Sequence, residues 1–302
     1  MEAVKHTKGY GMAQGTTPVV QQRRLRAELR KAREDAGHTQ KRVAEELGWS
    51  LSKVIRLETG ATTVSTSDAM ALIHYYEITD RVRIDDLLSV TRARERAWWD
   101  EYSEFYSQQF LNFLAYEDTA SRIRQFQTLA VPGLLQTANY ARAVFRAYLV
   151  EESRIDRAVK VRLNRQRLLN RPDGPELVFM VDEGVVHRQV GGPAVMIEQL
   201  TRLKEINDLD NPSIAVRIVP FSIGVNPGMK GSFVVFDFPA DEDESVVNVE
   251  EPNSDVLIRD NPETTSKYVE AFLALDELAL SKAESTELLG SVINNMRASQ
   301  QE

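Results

Sequence analysis

The chain has 302 residues, 42% of them hydrophobic and 27% charged, a globular composition long enough for two domains that excludes a largely disordered or fibrous protein. No apolar run approaches the roughly 18 to 20 residues of a membrane span. The absence of cysteine excludes disulfide bridges, thiolate nucleophiles and thiolate metal sites, and a cytoplasmic location is the simplest fit. The net charge of −8 is unevenly spread: residues 1–60 hold 12 Lys and Arg against 7 Asp and Glu, net +5, while residues 61–302 hold 25 against 38, net −13. A basic head on an acidic body suits a head that binds a polyanion, because phosphate attraction is local and fades over a Debye length of about 10 Å.

Residues 1–17 contain three glycines and no apolar period, and read as a flexible arm rather than a signal peptide. The first domain is expected over residues 18–97. It opens with a helix that sets Leu25, Leu29, Ala32 and Ala36 on one stripe and surrounds them with Arg23, Arg24, Arg26, Arg30, Lys31 and Arg33, ending at Gly37. Thr39 supplies an N-cap for a second helix with Val43, Ala44 and Leu47 inward, and Gly48 permits the sharp bend that follows. Ser50 caps a third helix whose Val54 and Leu57 point inward and which Gly60 closes; two more helices follow, from about Ser67 and about Asp80. Five short helices around one bend make the plan of a compact helix-turn-helix domain.

Thr39, Gln40, Val43, Ala44, Leu47, Gly48, Ser50, Glu58 and Gly60 together match the XRE (lambda-repressor-like) helix-turn-helix family, which this segment resembles. The resemblance implies double-stranded DNA as a partner and assigns roles by position. Gln40 is implied as a phosphate clamp, and Leu51, Ser52 and Arg56 as base-reading residues on the outer face of the third helix. There a guanidinium can fork onto guanine and a leucine can touch a thymine methyl. Ser50, Lys53, Thr63, Ser65 and Thr66 are expected at the DNA backbone, and Arg33 with Glu58 as a structural ion pair. Trp49 is read as core filling. Ile55 departs from the commoner polar choice, either widening an apolar contact to thymine or packing on a neighbour.

The second domain is expected over residues 98–302. From Arg92 to about Tyr116 the text reads as a continuous helical connection. It is dense in aromatics, namely Trp98, Trp99, Tyr102, Phe105, Tyr106, Phe110, Phe113 and Tyr116, which suit core or interface packing better than base stacking because the run is acidic. Helix continues to a break at Pro132-Gly133 and resumes at Thr137. From residue 176 five short β-branched runs, "ELVFMVDE", "SIAVRIVPF", "GSFVVFDF", "SVVNVEE" and "SDVLIRD", read as strands. A helix lies between the first two, and two more follow the last, over about 262–280 and 285–297. The fold class is therefore a mainly α head plus an α+β body with a mixed, partly antiparallel sheet. The acidic turn "PADEDES" reads as a device that keeps a hairpin soluble.

"VPGLLQT" with "YAR" at 140–142, "RLNRQ" at 162–166, "VDE" at 181–183, "QL" at 199–200, "VRIVP" at 216–220, "GMKGSF" at 228–233 and "VVNVE" at 246–250 resemble the domain of unknown function that follows an XRE-type head in actinobacterial regulators, WhiJ-type developmental regulators among them. Asn248 departs from the expected tyrosine. This resemblance implies transcriptional control together with a small acidic partner protein encoded nearby. Catalytic motifs are absent from the sequence, and "VDEGVVHR" offers Asp182, Glu183 and His187 without a third firm metal ligand, so neither an enzyme nor a metal or other cofactor is expected. Arg142, Arg162, Arg165, Arg188 and Glu250 are candidates for a partner or ligand site, or else for an internal salt-bridge network, the reading favoured here. The whole reads as a homodimeric DNA-binding transcriptional regulator. The alternatives are a ligand-processing enzyme with an autoregulatory head, and a protein-interaction adaptor.

Overall fold

A computed structural model describes residues 18–60, 62–92, 97–172, 174–209, 211–238, 245–251, 254–259 and 261–300. The expected arm at 1–17 and most of the acidic turn at 239–245 lie outside the described residues. The chain divides into two compact units, residues 1–108 and 109–302.

The first unit holds five helices: α1 (Pro18–Asp35), α2 (Gln40–Glu46), α3 (Leu51–Thr59), α4 (Thr66–Tyr75) and α5 (Arg81–Arg92). Their ends follow from side-chain oxygens placed at N-caps. Thr39 accepts the Arg42 N–H, Ser50 the Lys53 N–H and Ser65 the Asp68 N–H, each satisfying one of the donors a helix start leaves unpaired. Gly48, at φ +64°, turns α2 into α3 in a conformation that a side chain would strain. Leu25, Leu29, Val43, Ala44, Val54, Leu57, Leu72 and Ile73 close one core, with Trp49 half-buried against it. The continuous helix expected beyond Arg92 is not there: residues 93–96 lie outside the described residues, and residues 97–107 form turns around a single 3-10 turn at Asp100–Tyr102. Trp98 and Trp99 pack edge to face at 5.5 Å, and Trp99 and Tyr102 are buried.

The second unit is a six-stranded sheet in the order β3-β2-β1-β4-β5-β6. The strands are β1 (Arg122–Gln127), β2 (Glu176–Asp182), β3 (Ile214–Val219), β4 (Phe233–Asp237), β5 (Val246–Glu251) and β6 (Ser254–Arg259). β1, β2 and β3 run parallel; β4 is antiparallel to β1, and β5 and β6 continue antiparallel. The helices are α6 (Gln108–Thr119), α7 (Ala138–Arg146), α8 (Glu152–Arg165), α9 (Glu183–His187), α10 (Pro193–Asp208), α11 (Pro262–Leu278) and α12 (Lys282–Ala298). One sheet face, with Phe126, Met180, Phe233 and Val235, is covered by Phe272 and Leu275 of α11. On the other face Phe236 meets Phe113 and Tyr116 of α6, at 5.4 and 6.2 Å between ring centres. Trp99, Tyr102, Phe113 and Tyr116 of the aromatic run thus serve packing, while Phe105 is exposed.

The five expected strands are present, but the sheet has a sixth at its centre, β1, where the sequence predicts helix. "RIRQFQ" has only two apolar residues, and its Arg and Gln side chains hide the alternation that marks a strand. Tertiary partners make their placement tolerable: Arg122 forks onto Glu176 at 2.8 and 2.8 Å, and Arg124 donates to Asp237 at 2.7 Å.

The outer edge of β3 is closed by side chains rather than by another strand. Asn207 of α10 donates to the Val216 carbonyl (2.8 Å) and accepts its N–H (2.9 Å); the Ile218 N–H donates to Ser285 Oγ (3.0 Å), and its carbonyl accepts from Leu280 N (2.8 Å). A bare edge would otherwise offer a template for pairing with another chain. Asn207→Ala leaves one buried donor and one buried acceptor without partners. It is expected to cost about 3 kcal/mol, read as a lower urea midpoint, with faster aggregation near the midpoint; an unchanged midpoint would contradict the role given to Asn207.

Candidate nucleic-acid interface

The third helix, α3, is held from below and from one side. Arg33 of α1 donates from Nε to Glu58 Oε1 (2.7 Å) and from Nη2 to Oε2 (3.1 Å), while its Nη1 donates to the His38 carbonyl (2.9 Å). Burial works against the Arg33 charge, but Glu58 outweighs it and the guanidinium's pKa is raised. Gln40 also donates to Glu58 Oε2 (2.7 Å). One N–H of its amide therefore serves the junction of α1, α2 and α3, and the amide's second N–H is the one a phosphate would meet.

Lys53, expected at the DNA backbone, is engaged within the first unit. Its ammonium stands 2.6 Å from Asp68 Oδ1 and 3.8 Å from the centre of the Trp49 ring, so it ties α3 to α4. Asp68 pays a burial penalty, yet Lys53 and Ser65 more than offset it and its carboxyl is held below the usual range. Ser50 and Ser65 act as helix caps, and the Thr66 hydroxyl pairs with that of Thr91 at 2.7 Å. Of the residues expected at DNA, Ser50, Leu51, Ser52, Arg56, Thr63 and Ser65 are exposed. Among the described residues, Ser52, Arg56 and Thr63 make no side-chain hydrogen bond or ion pair. Leu51, Ser52, Ile55 and Arg56 share the outer face of α3, opposite Val54 and Leu57.

In the second unit, Arg165 and Glu117 form a buried two-pronged ion pair, Nε to Oε2 at 2.8 Å and Nη2 to Oε1 at 2.6 Å, with side chains only 7% and 6% exposed. Arg162 lies beside Arg165. A Cβ added at Gly133 would stand 2.8 Å from Arg162 Nη1 and 3.2 Å from Arg165 Nη1, so a larger residue here would have to displace the Arg162 guanidinium. Arg162 donates to Gln136 Oε1 (2.9 Å), whose own amide donates to the Val131 carbonyl (2.7 Å). Gln199 joins the same segment, accepting the Thr137 N–H (2.7 Å) and donating to the Leu135 carbonyl (2.9 Å). Tyr140, fully buried, accepts the Val131 N–H, and burial raises its pKa.

The five candidates for a partner or ligand site therefore do not form one cluster. Arg142 pairs with Asp156 (2.6 Å) and Glu152 (3.3 Å) on the protein surface, Arg188 is exposed, and the side chain of Glu250 lies outside the described residues. Glu117, Gln136 and Gln199 complete the polar centre and were not singled out in the sequence. Gln136 and Gln199 stand inside "VPGLLQT" and "QL", which is the signal that pointed to them. Asp182 caps α9 through the Gly184 N–H (2.8 Å), and Glu183 accepts the Phe221 N–H (2.6 Å) and faces His187 at 3.3 Å. Both carboxylates thus have structural work. Asn248 is buried, and its Oδ1 meets no donor among the described residues.

Comparison with known proteins gives two matches by family model: a helix-turn-helix domain over residues 24–97 and a domain of unknown function, DUF5753, over residues 110–291. No curated protein and no solved structure matches the chain. Among the described residues no helix is long and apolar enough to cross a membrane. The capped, outward-facing α3 and the polar centre around Arg165 thus lie in two recognised modules, and since the second spans more than half of the sequence, this chain belongs to the DUF5753 family and carries a helix-turn-helix domain ahead of that module.

Proposed function

We propose that this protein is a cytoplasmic, sequence-specific DNA-binding transcriptional regulator that acts as a homodimer. The observation that carries this reading is the outer face of α3, where Leu51, Ser52 and Arg56 are exposed on a helix held by Glu58 at one end and Lys53 at its side. A rigid helix with unengaged side chains on one face is what base reading in a major groove requires. Dimerisation follows from economy: one reading helix contacts few base pairs, and a two-fold pair reads two half-sites about 34 to 36 Å apart. The α+β unit acts by binding rather than by catalysis. Its modulator is a small partner protein, acidic as in the regulators that the sequence resembles, or a ligand, which alters DNA affinity by favouring one state of the chain.

Selection of bound duplexes from a random library, by the wild type and by Arg56→Ala, tests the reading. The wild type is expected to return a palindrome. Arg56→Ala is expected to lose its preference at one guanine in each half-site, a discrimination of about 1 to 3 kcal/mol. Recovery of no motif by the wild type would reject direct DNA reading by this chain alone.

A further inference from the structure

We infer that β6 pairs along its outer edge with β6 of a second copy of this chain, antiparallel and with Leu257 on the two-fold axis, so that the two sheets join into one. The inference rests on the homodimer of the reading above and deepens it by naming where the copies meet. The sheet has two edge strands, β3 and β6. The β3 edge is closed by Asn207, Ser285 and Leu280. β6 pairs with β5 on one side, and among the described residues no strand pairs with its other side.

Strands that stay open at an edge are ordinarily very short, interrupted by proline or a bulge, or charged in mid-strand, most often by lysine. β6 runs for six residues without proline or lysine. Its centre is the aliphatic run Val256, Leu257 and Ile258, and its charges, Asp255 and Arg259, stand to either side of that run. Such a strand is a template for another strand, and its own sequence specifies which. Two copies related by a two-fold axis across this edge pair antiparallel. Opposite residues in an antiparallel pair lie on the same sheet face, and faces alternate along a strand, so the axis passes through a residue rather than between two. An axis at Val256 sets Asp255 opposite Leu257, and an axis at Ile258 sets Arg259 opposite Leu257. With the axis at Leu257, Asp255 of each copy is opposite Arg259 of the other and Val256 is opposite Ile258. Charge and apolar complementarity therefore select the register centred on Leu257, and with it the occupant, because the strand is its own complement.

The absence of cysteine from the chain lets single introduced thiols report the register. Opposite residues have Cα atoms about 4.5 to 5.5 Å apart, inside the span of about 4.4 to 6.8 Å that a disulfide bridges. Under mild oxidation the full-length Leu257→Cys variant is expected to cross-link to itself, and faster than Val256→Cys or Ile258→Cys. Ser254→Cys, whose two copies stand about 20 Å apart along the strands, is expected to stay uncrosslinked. Sedimentation equilibrium supplies the dimer Kd. Asp255→Arg and Arg259→Asp each set like charges opposite one another at two places, and each is expected to weaken dimerisation about tenfold, with the double exchange restoring it. That restoration separates pairing between copies from damage to the fold of either variant. A dimeric wild type whose Kd ignores the charge reversals and whose Leu257→Cys variant stays uncrosslinked would overturn the β6 interface and leave the homodimer standing. Fastest cross-linking at Val256→Cys or Ile258→Cys would overturn the register. A monomeric wild type would overturn the interface and the homodimer together.

Discussion

Glu117→Ala is expected to destabilise the second unit by about 3 to 5 kcal/mol, among the largest single-residue effects in the chain. The size follows from what the substitution leaves behind. Glu117 and Arg165 are both almost wholly buried, and Glu117 supplies both oxygens of the fork. Removing it takes both oxygens of the fork away from a buried guanidinium that lies 5.0 Å from the Phe113 ring and shares the Gly133 backbone with Arg162. The attraction within a buried pair roughly balances the cost of taking its charges out of water, so it is breaking the pair that costs most. The double replacement Glu117→Leu with Arg165→Met removes both charges and is expected to recover most of the loss. Urea unfolding followed by far-ultraviolet circular dichroism checks both variants. A Glu117→Ala midpoint within about 0.5 kcal/mol of wild type, the range of an ordinary surface substitution, would show that the pair carries no such weight.

The second large effect is expected at Glu58. Its carboxylate accepts from Arg33 twice and from Gln40 once, joining α1 and the start of α2 to the end of α3. Glu58→Ala leaves the Arg33 guanidinium, itself mostly buried, facing only the His38 carbonyl and the exposed Glu34. The cost is about 3 kcal/mol in the first unit, the lower end of the range for breaking a buried pair, because both side chains keep some contact with water. Glu58→Gln retains acceptor and shape and is expected to lose less. The effect on DNA is of a different kind from that of Arg56→Ala. With α3 loosened, affinity should fall for the selected duplex at every position alike, with no single base preference erased. Thermal melts and competition binding against single-base variants of the duplex separate the two. Selective loss at one base in Glu58→Ala would mean that Glu58 contributes to reading directly.

The helix-turn-helix was legible in the residues because its determinants are local. Thr39, Gly48 and Ser50 set caps and the bend within a few positions of where they act, and the apolar stripes of α1, α2 and α3 repeat at the helical period. The strands from β2 onward were legible for the same reason, each being a short β-branched run between turn residues. Contacts between residues far apart in sequence decided the rest. β1 is a strand because β2 and β4 pair with its backbone on both sides, with Arg122 and Arg124 meeting Glu176 and Asp237, 54 and 113 positions away, partners that its own six residues do not announce. Lys53 meets Asp68 because folding of α4 brings it there, and Gln40 meets Glu58 because α3 returns to α2, contacts that the local sequence does not announce. Of the basic candidates of the second unit, Arg162 and Arg165 stay side by side, on Gln136 and Glu117, while Arg142 lies apart on two surface carboxylates. Helical period and caps act over a few residues and can be read in one dimension. The partner of a charge depends on which segments the fold packs together, and hence so does whether that charge is left free for a ligand.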